Sequence, residues 1–343
     1  METNFIMKKK DKLLVIAEIG VNHNGSLALA KKLVLIAKYA KADYVKFQTF
    51  EAKNLVTFRA KSAPYQVKNL KKNYKQIDFL KKLELNKEKH IKLLKFCKKI
   101  NMKFLSSPFD IESAKLLKSI GLKEIKIPSG EINNYPLLEE TAKFAKKIFL
   151  STGMSNLREV GHALNIFYKN KISKKNIFLL HCVSSYPAPL NELNLLSMKT
   201  MENKFKVKVG FSDHTLGSEA SMCAVTIGAK VIEKHITTNS KLHGPDHKAS
   251  MNPDDFKFFV KKLRNITDIL GNGVKKITKS ETVTKKLVRK SIVAKIEIKK
   301  GEIFDISNIT CKRPEGGISP IFWKSIIGKK SKYFFKPDDF IKI

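Results

Sequence analysis

Eight times between Leu13 and His235 a short apolar run closes on a polar cluster, and in all but one interval a stretch of about one helix follows. The runs are 13–20, 43–49, 103–109, 124–131, 147–153, 177–186, 208–211 and 230–232. Strands separated by helices pair in parallel, and eight such units over roughly 270 residues make the count of an α/β fold of the (β/α)8 TIM-barrel type. Ser26 is placed to cap a helix reaching about Ala40, and further helices are expected over 86–100, 111–120, 136–146 and 156–168. The interval 51–83, with Arg59, Pro64 and Tyr65, is too long for an ordinary connection and reads as a lid. In the last unit, GFSDH and VIEKHIT each carry a histidine at the strand end, His214 and His235, one βα step apart. Singly, each reads as a strand cap. As a pair on neighbouring strand ends, they read as two ligands of one metal ion.

Length and charge narrow the class. A chain of 343 residues accommodates two domains. Residues 1–272 are read as the barrel, the Gly- and Lys-rich 273–287 as a linker, and 288–343 as a small β-rich module, marginal alone and expected to lean on a barrel. The net charge of +36 suggests a polyanion partner, yet 62 of the 67 basic residues are lysines spread over the whole chain. Nucleic-acid readers favour clustered arginine, so a specific nucleic-acid partner is not expected and the charge reads as a solvated surface. Cys97, Cys182, Cys223 and Cys311 form no CxxC pair, which suits reduced thiols in the cytoplasm. No apolar run is long enough to span a membrane, and 1–12 reads as a polar tail without a signal.

The functional signal is asymmetric. Glu18, Lys46, Gln48, Ser106, Ser107, Lys126, Ser129, Glu131, Ser151, Ser184, Ser212, His214 and His235 gather at the C-terminal ends of the runs. TIM-barrel enzymes carry their sites at that end. Any one of these serines alone reads as a turn hydroxyl, but together they describe a concave polar pocket. Lys46 and Lys126 with the serine hydroxyls and the Gly130 and Gly153 amides suit a small phosphate and carboxylate. Lys126 lies between Ile125 and Ile127, where an unpaired ammonium is expensive. Glu131 and Glu18 are candidate acid–base or sugar-hydroxyl contacts. His23, His181, His243 and His247 have no such strand-end pairing.

The segments IAEIGVNHNGS, VKFQTF, SSPFD, KIPSGE, LSTGM, GFSDH, EKHIT, GPDHKAS and KRPEGGIS together resemble the bacterial sialic acid (N-acetylneuraminate) synthases almost end to end. The C-terminal module resembles their antifreeze-like (SAF) domain. The resemblance implies condensation of phosphoenolpyruvate with an N-acetylated amino sugar and release of phosphate by C–O cleavage. It implies a divalent ion at His214 and His235, usually manganese, with magnesium or cobalt as alternatives. Lys46, Lys126, Ser129, Ser151, Ser184 and Ser212 would bind phosphoenolpyruvate, with Ser106 or Ser107 nearby; Ser184 departs from the amide or threonine of the family pattern. Glu18, Gln48, Tyr186 and Asp246 would contact the sugar, and Glu131 would lie by the reacting carbons. Arg313 would reach from the small domain into the pocket of the partner subunit of a domain-swapped homodimer.

N-acetylmannosamine, giving N-acetylneuraminate, is the first substrate reading. The alternative is 2,4-diacetamido-2,4,6-trideoxymannose, giving N,N'-diacetyllegionaminate; a pseudaminate synthase is less expected. A nonenzymatic polyanion-binding protein is the remote alternative and leaves the rim unexplained.

Overall fold

In the computed structural model, residues 12–60 and 75–343 are described. Pro64 and Tyr65 of the expected lid and nearly all of the N-terminal tail lie outside the described residues. The chain divides into two compact units, the first ending at Asn272 and the second running Gly273–Ile343.

The first unit is an eight-stranded parallel barrel: β1 Leu14–Gly20, β2 Tyr44–Thr49, β3 Lys103–Pro108, β4 Glu124–Ile127, β5 Lys147–Ser151, β6 Ile177–His181, β7 Lys208–Asp213 and β8 Val231–His235. Hydrogen bonding follows the order β3-β2-β1-β8-β7-β6-β5-β4, and β3 and β4 stand side by side to close the ring. The period-two alternation of strands sorts the side chains. Ile16, Tyr44, Leu105, Phe149, Phe178, Leu180 and Val231 fill the interior. The intervening Val15, Val45, Phe104, Ile125, Ile148, Leu179, Val209 and Ile232 pack outward against the helices. Each such fully buried side chain contributes about 1.5–3 kcal/mol relative to exposure. Gly210 is required by close approach: a Cβ there would come within 2.5 Å of the Val231 carbonyl oxygen. At the N-terminal ends of the strands, Asp43 pairs with Arg264 at 2.5 Å and Lys12 at 2.6 Å, tying β2 to the helix Pro253–Ile269.

Helix starts follow local chemistry. Ser26, Asn86, Asp110 and Asn134 each accept a first-turn backbone N–H, and Asn156 and Glu159 form a capping box. Two strands are shorter than expected by four or more residues. β4 stops at Ile127 because Pro128 has no N–H for the ladder, and Ser129–Glu131 make a single 3-10 turn. β6 stops at His181, leaving Ser184 and Tyr186 on the following loop. The described parts of the expected lid, including helices Ala52–Leu55 and Gln76–Lys81, form a separate apolar cluster with Val21 and Phe50.

In the second unit, β9 Ser291–Ala294 and β10 Ile309–Lys312 pair antiparallel over a core of Ile292, Ile298, Phe304, Ile309, Ile326 and Phe335. The segment read as a linker contains a helix, Glu281–Val288. Glu281 nucleates it by accepting the Thr278 N–H at 2.8 Å and hydroxyl at 2.9 Å, and none of its residues is buried, which is why it leaves no apolar period in the sequence. Among the described residues, no helix is long and apolar enough to cross a membrane.

Candidate active site

At the C-terminal end of the barrel, the alternation that sends Ile16, Leu105, Phe149 and Val231 inward delivers Glu18, Ser107, Ser151 and Glu233 to the same face one step later. With Lys46, Lys126 and Ser212, all of these but Ser107 floor a cavity of about 400 Å³. Gln48, Ser129, Glu131, Ser184, Tyr186, His214, His235 and Asp246 line it too. Leu55, Val56, Phe79, Leu80, Leu83 and Phe109 give it one apolar wall.

One expected site residue stands elsewhere. Ser106 points outward by the same alternation; its hydroxyl bonds the Thr49 hydroxyl at 2.7 Å and donates to the Phe47 carbonyl at 3.1 Å. Ser107 is the one that faces inward, accepting from Lys46 Nζ at 3.3 Å. Arg313 follows β10 in the second unit and is exposed.

The floor is a charge-balanced cluster. Lys46 Nζ lies 2.9 Å from Glu18 Oε2 and 3.8 Å from Glu233 Oε1, while Lys126 Nζ lies 3.0 Å from Glu233 Oε1. Ser212 donates to the same Glu233 oxygen at 2.9 Å. All four charged groups are buried. Burial raises the Glu18 carboxyl to about 7 against the pull of Lys46, with the Glu233 charge adding to the rise. Glu233 is also penalised by burial, but Lys126 and Lys46 outweigh that and hold it at about 2. Burial lowers Lys126 despite Glu233; for Lys46, burial is overcome by Glu18 and Glu233, which raise it. Glu18 therefore takes up a proton near neutrality and leaves the floor net positive, the state an entering anion favours.

The serines converge around Gly153. Its N–H donates to Ser129 Oγ at 3.1 Å, and a Cβ there would come within 2.4 Å of Ser184 Oγ and 2.8 Å of Ser129 Oγ, so the absent side chain lets both hydroxyls face one space. Burial raises the Glu131 carboxyl, with a hydrogen bond from Asn134 at 2.7 Å opposing the rise. Burial likewise raises Asp246 to about 6 against the attraction of Lys46.

The two histidine rings stand 5.8 Å apart. His214 Nδ1 contacts the Val183 carbonyl at 2.7 Å, which assigns the proton to Nδ1 and turns the Nε2 lone pair towards Tyr186 OH and Ser212 Oγ. His235 Nδ1 is buried with no hydrogen-bond partner among the described residues. Burial lowers His214 to about 4 and His235 well below its ordinary range, so both rings are neutral. Two neutral imidazoles, one with an orphaned nitrogen, above a floor rich in oxygen, fit a divalent cation of intermediate softness. Among the described residues, no group of three or more His, Cys, Asp or Glu side chains is placed to hold a metal, so the rest of such an ion's shell would come from water or ligand oxygens.

Reading the sequence by strand ends missed Glu233 and left Ser106 and Ser107 undivided. The missing signal was parity: Glu233 lies two residues before His235 and Ser107 two after Leu105, so each shares an inward face.

The fold and this rim define a (β/α)8-barrel enzyme with a buried lysine–carboxylate floor beside a histidine pair. The chain belongs to the NeuB family: that family's sequence profile matches residues 33–275, and the SAF domain profile matches residues 289–343. The N,N'-diacetyllegionaminic acid synthase of Campylobacter jejuni is 50% identical over 331 residues, covering 96% of this chain and 99% of its own. The corresponding synthase of Legionella pneumophila is 42% identical over 319 residues, covering 92% and 89%. A solved structure, the N-acetylneuraminic acid (sialic acid) synthetase of Leptospira borgpetersenii in complex with citrate, is 33% identical with a TM-score of 0.69, covering 80% of this chain and 90% of that one.

Proposed function

We propose that this chain is an N,N'-diacetyllegionaminate synthase, condensing phosphoenolpyruvate with 2,4-diacetamido-2,4,6-trideoxymannose. Similarity of 50% over nearly the whole chain to a synthase of that product carries the reading, and it displaces N-acetylmannosamine, which the motifs had put first. The apolar wall of Leu55, Val56 and Phe79 supports it: the 6-deoxy carbon and the second acetyl group give such a wall more apolar surface to cover than two hydroxyls do.

On this reading Lys46 and Lys126 neutralise the phosphate and carboxylate of phosphoenolpyruvate, and Ser129, Ser151, Ser184 and Ser212 supply hydroxyl donors to its oxygens. Glu18, protonated near neutrality, lets the dianion enter without expelling a charge from the floor. Gln48, Tyr186 and Asp246 orient the amino sugar so that its aldehyde carbon faces the methylene carbon of phosphoenolpyruvate. The C–C bond forms, the carbonyl oxygen takes up a proton, and water adds at C2. Glu131 faces the cavity and positions that water, accepting its proton. The tetrahedral intermediate then loses phosphate by C–O cleavage, leaving a 2-keto acid. A divalent ion, manganese as the first choice, would be held by His214 and His235 and would supply Lewis-acid polarisation of the aldehyde.

The test is phosphate release by the purified protein with manganese and phosphoenolpyruvate, the two sugars side by side. A kcat/KM at least about tenfold higher for the diacetamido sugar is expected, the scale on which one added or missing apolar group is discriminated. Preference for N-acetylmannosamine would return the chain to the sialic acid branch.

A further inference from the structure

We propose that Asp213 and Lys234 form a clamp on the outer face of the barrel that fixes the separation of His214 and His235, making both positioning residues for the ion the histidines would hold. The inference rests on that metal reading but not on the identity of the sugar. Each clamp residue immediately precedes one histidine, and the two are partners at the last rung of the β7–β8 ladder. Lys234 Nζ reaches Asp213 Oδ2 at 3.0 Å and donates to the Thr215 carbonyl at 2.6 Å, so the residue beside His235 grips the backbone on the far side of His214. Asp213 accepts from Thr215 N at 2.8 Å, Thr215 Oγ1 at 2.7 Å and Ser221 Oγ at 2.5 Å. Both side chains are at most 1% exposed, beside the apolar layer that contains Phe211, Ile232 and Ile236.

Stability does not account for such a pair. A buried ion pair is often no better than apolar groups of the same volume, and an apolar pair would suit this layer. What the pair supplies is direction: five hydrogen-bonding contacts fix the chain course on both sides of His214 and tie it to the strand carrying His235. His214 is then held from outside by this network and from the other side through its Nδ1 contact to Val183.

The experiment measures Mn2+ affinity of the full-length protein by electron paramagnetic resonance of free Mn2+, without substrates. The double variant Asp213→Asn/Lys234→Met removes both charges at nearly constant volume and leaves no buried charge unpaired, so the fold is kept, as circular dichroism checks. Mn2+ binding weaker by about tenfold or more is expected, the usual range for loss of an outer-shell partner. Arg264→Met breaks the ion pair at the opposite end of the barrel and should leave Mn2+ affinity unchanged. A folded double variant with wild-type Mn2+ affinity overturns the clamp, as does an equal loss in Arg264→Met. Wild-type protein that binds no Mn2+ overturns the two-histidine reading and the clamp with it. Binding intact in the wild type with turnover of neither sugar would instead leave the clamp standing and remove the proposed substrate.

Discussion

Glu233 carries the charge balance of the pocket floor, and replacing it by glutamine tests that balance. The substitution keeps the volume but takes the counter-charge from Lys126, 3.0 Å away, and weakens the hold on Lys46, 3.8 Å away. Lys46 keeps Glu18; among the described residues, Lys126 keeps no carboxylate within salt-bridge distance. Breaking one side of a buried pair costs about 3–5 kcal/mol, and a barrel of this size loses roughly 2–4 °C of Tm per kcal/mol, so a fall of roughly 10 °C is expected. Burial already lowers Lys126, so the variant should recover stability with rising pH as that ammonium sheds its proton. Adding Lys126→Met removes the stranded charge, and the double variant should be more stable than the sum of the two single losses predicts, by about 1–3 kcal/mol. Urea denaturation of all four proteins, followed by circular dichroism, gives the cycle. A Glu233→Gln loss below about 1 kcal/mol, or strict additivity in the cycle, would refute the account of the floor.

Other outcomes follow from the same geometry. His235→Ala should abolish manganese-dependent turnover and leave circular dichroism unchanged; retained activity contradicts the ligand role. Asp246 has a folded-state pKa of about 6 against an ordinary 3.8. The native state therefore binds the proton more tightly, and the carboxyl costs stability as pH rises through that window. Asp246→Asn should thus be more stable than wild type above about pH 6, by up to about 3 kcal/mol, with no advantage below about pH 4; thermal melts across pH, with sugar KM rising, check it. If the partner subunit's Arg313 completes each pocket, mixed dimers of Arg313→Ala and Glu131→Ala chains should regain activity that neither homodimer has, and inactive heterodimers would exclude the swap.

The barrel was legible because each strand repeats one physical pattern, apolar residues closing on polar ones at a single end. Lys126 shows how far that reasoning reaches: an ammonium between two isoleucines was marked as too costly to leave unpaired, and the structure supplies Glu233 as its partner. The partner itself was not legible from local pattern, since it lies 107 residues away on β8 and only the closed ring brings the two strands' inward faces together. Ser106 and Ser107 are adjacent and chemically alike, so composition could not separate them; the inward position of Leu105 does. The helix at Glu281–Val288 escaped because it buries nothing and so imposes no apolar period. The sugar was not legible because most of the apolar wall comes from the interval 51–83, outside the quoted motifs; Phe109, in SSPFD, is the exception.

The most direct test of the central claim is to supply phosphoenolpyruvate labelled with oxygen-18 at the bridging position, together with the diacetamido sugar and manganese, and to weigh both products. The expected result is a new 2-keto acid joined by a C–C bond, with the label wholly in the released phosphate. Unlabelled phosphate, or pyruvate without a condensed sugar, would contradict it.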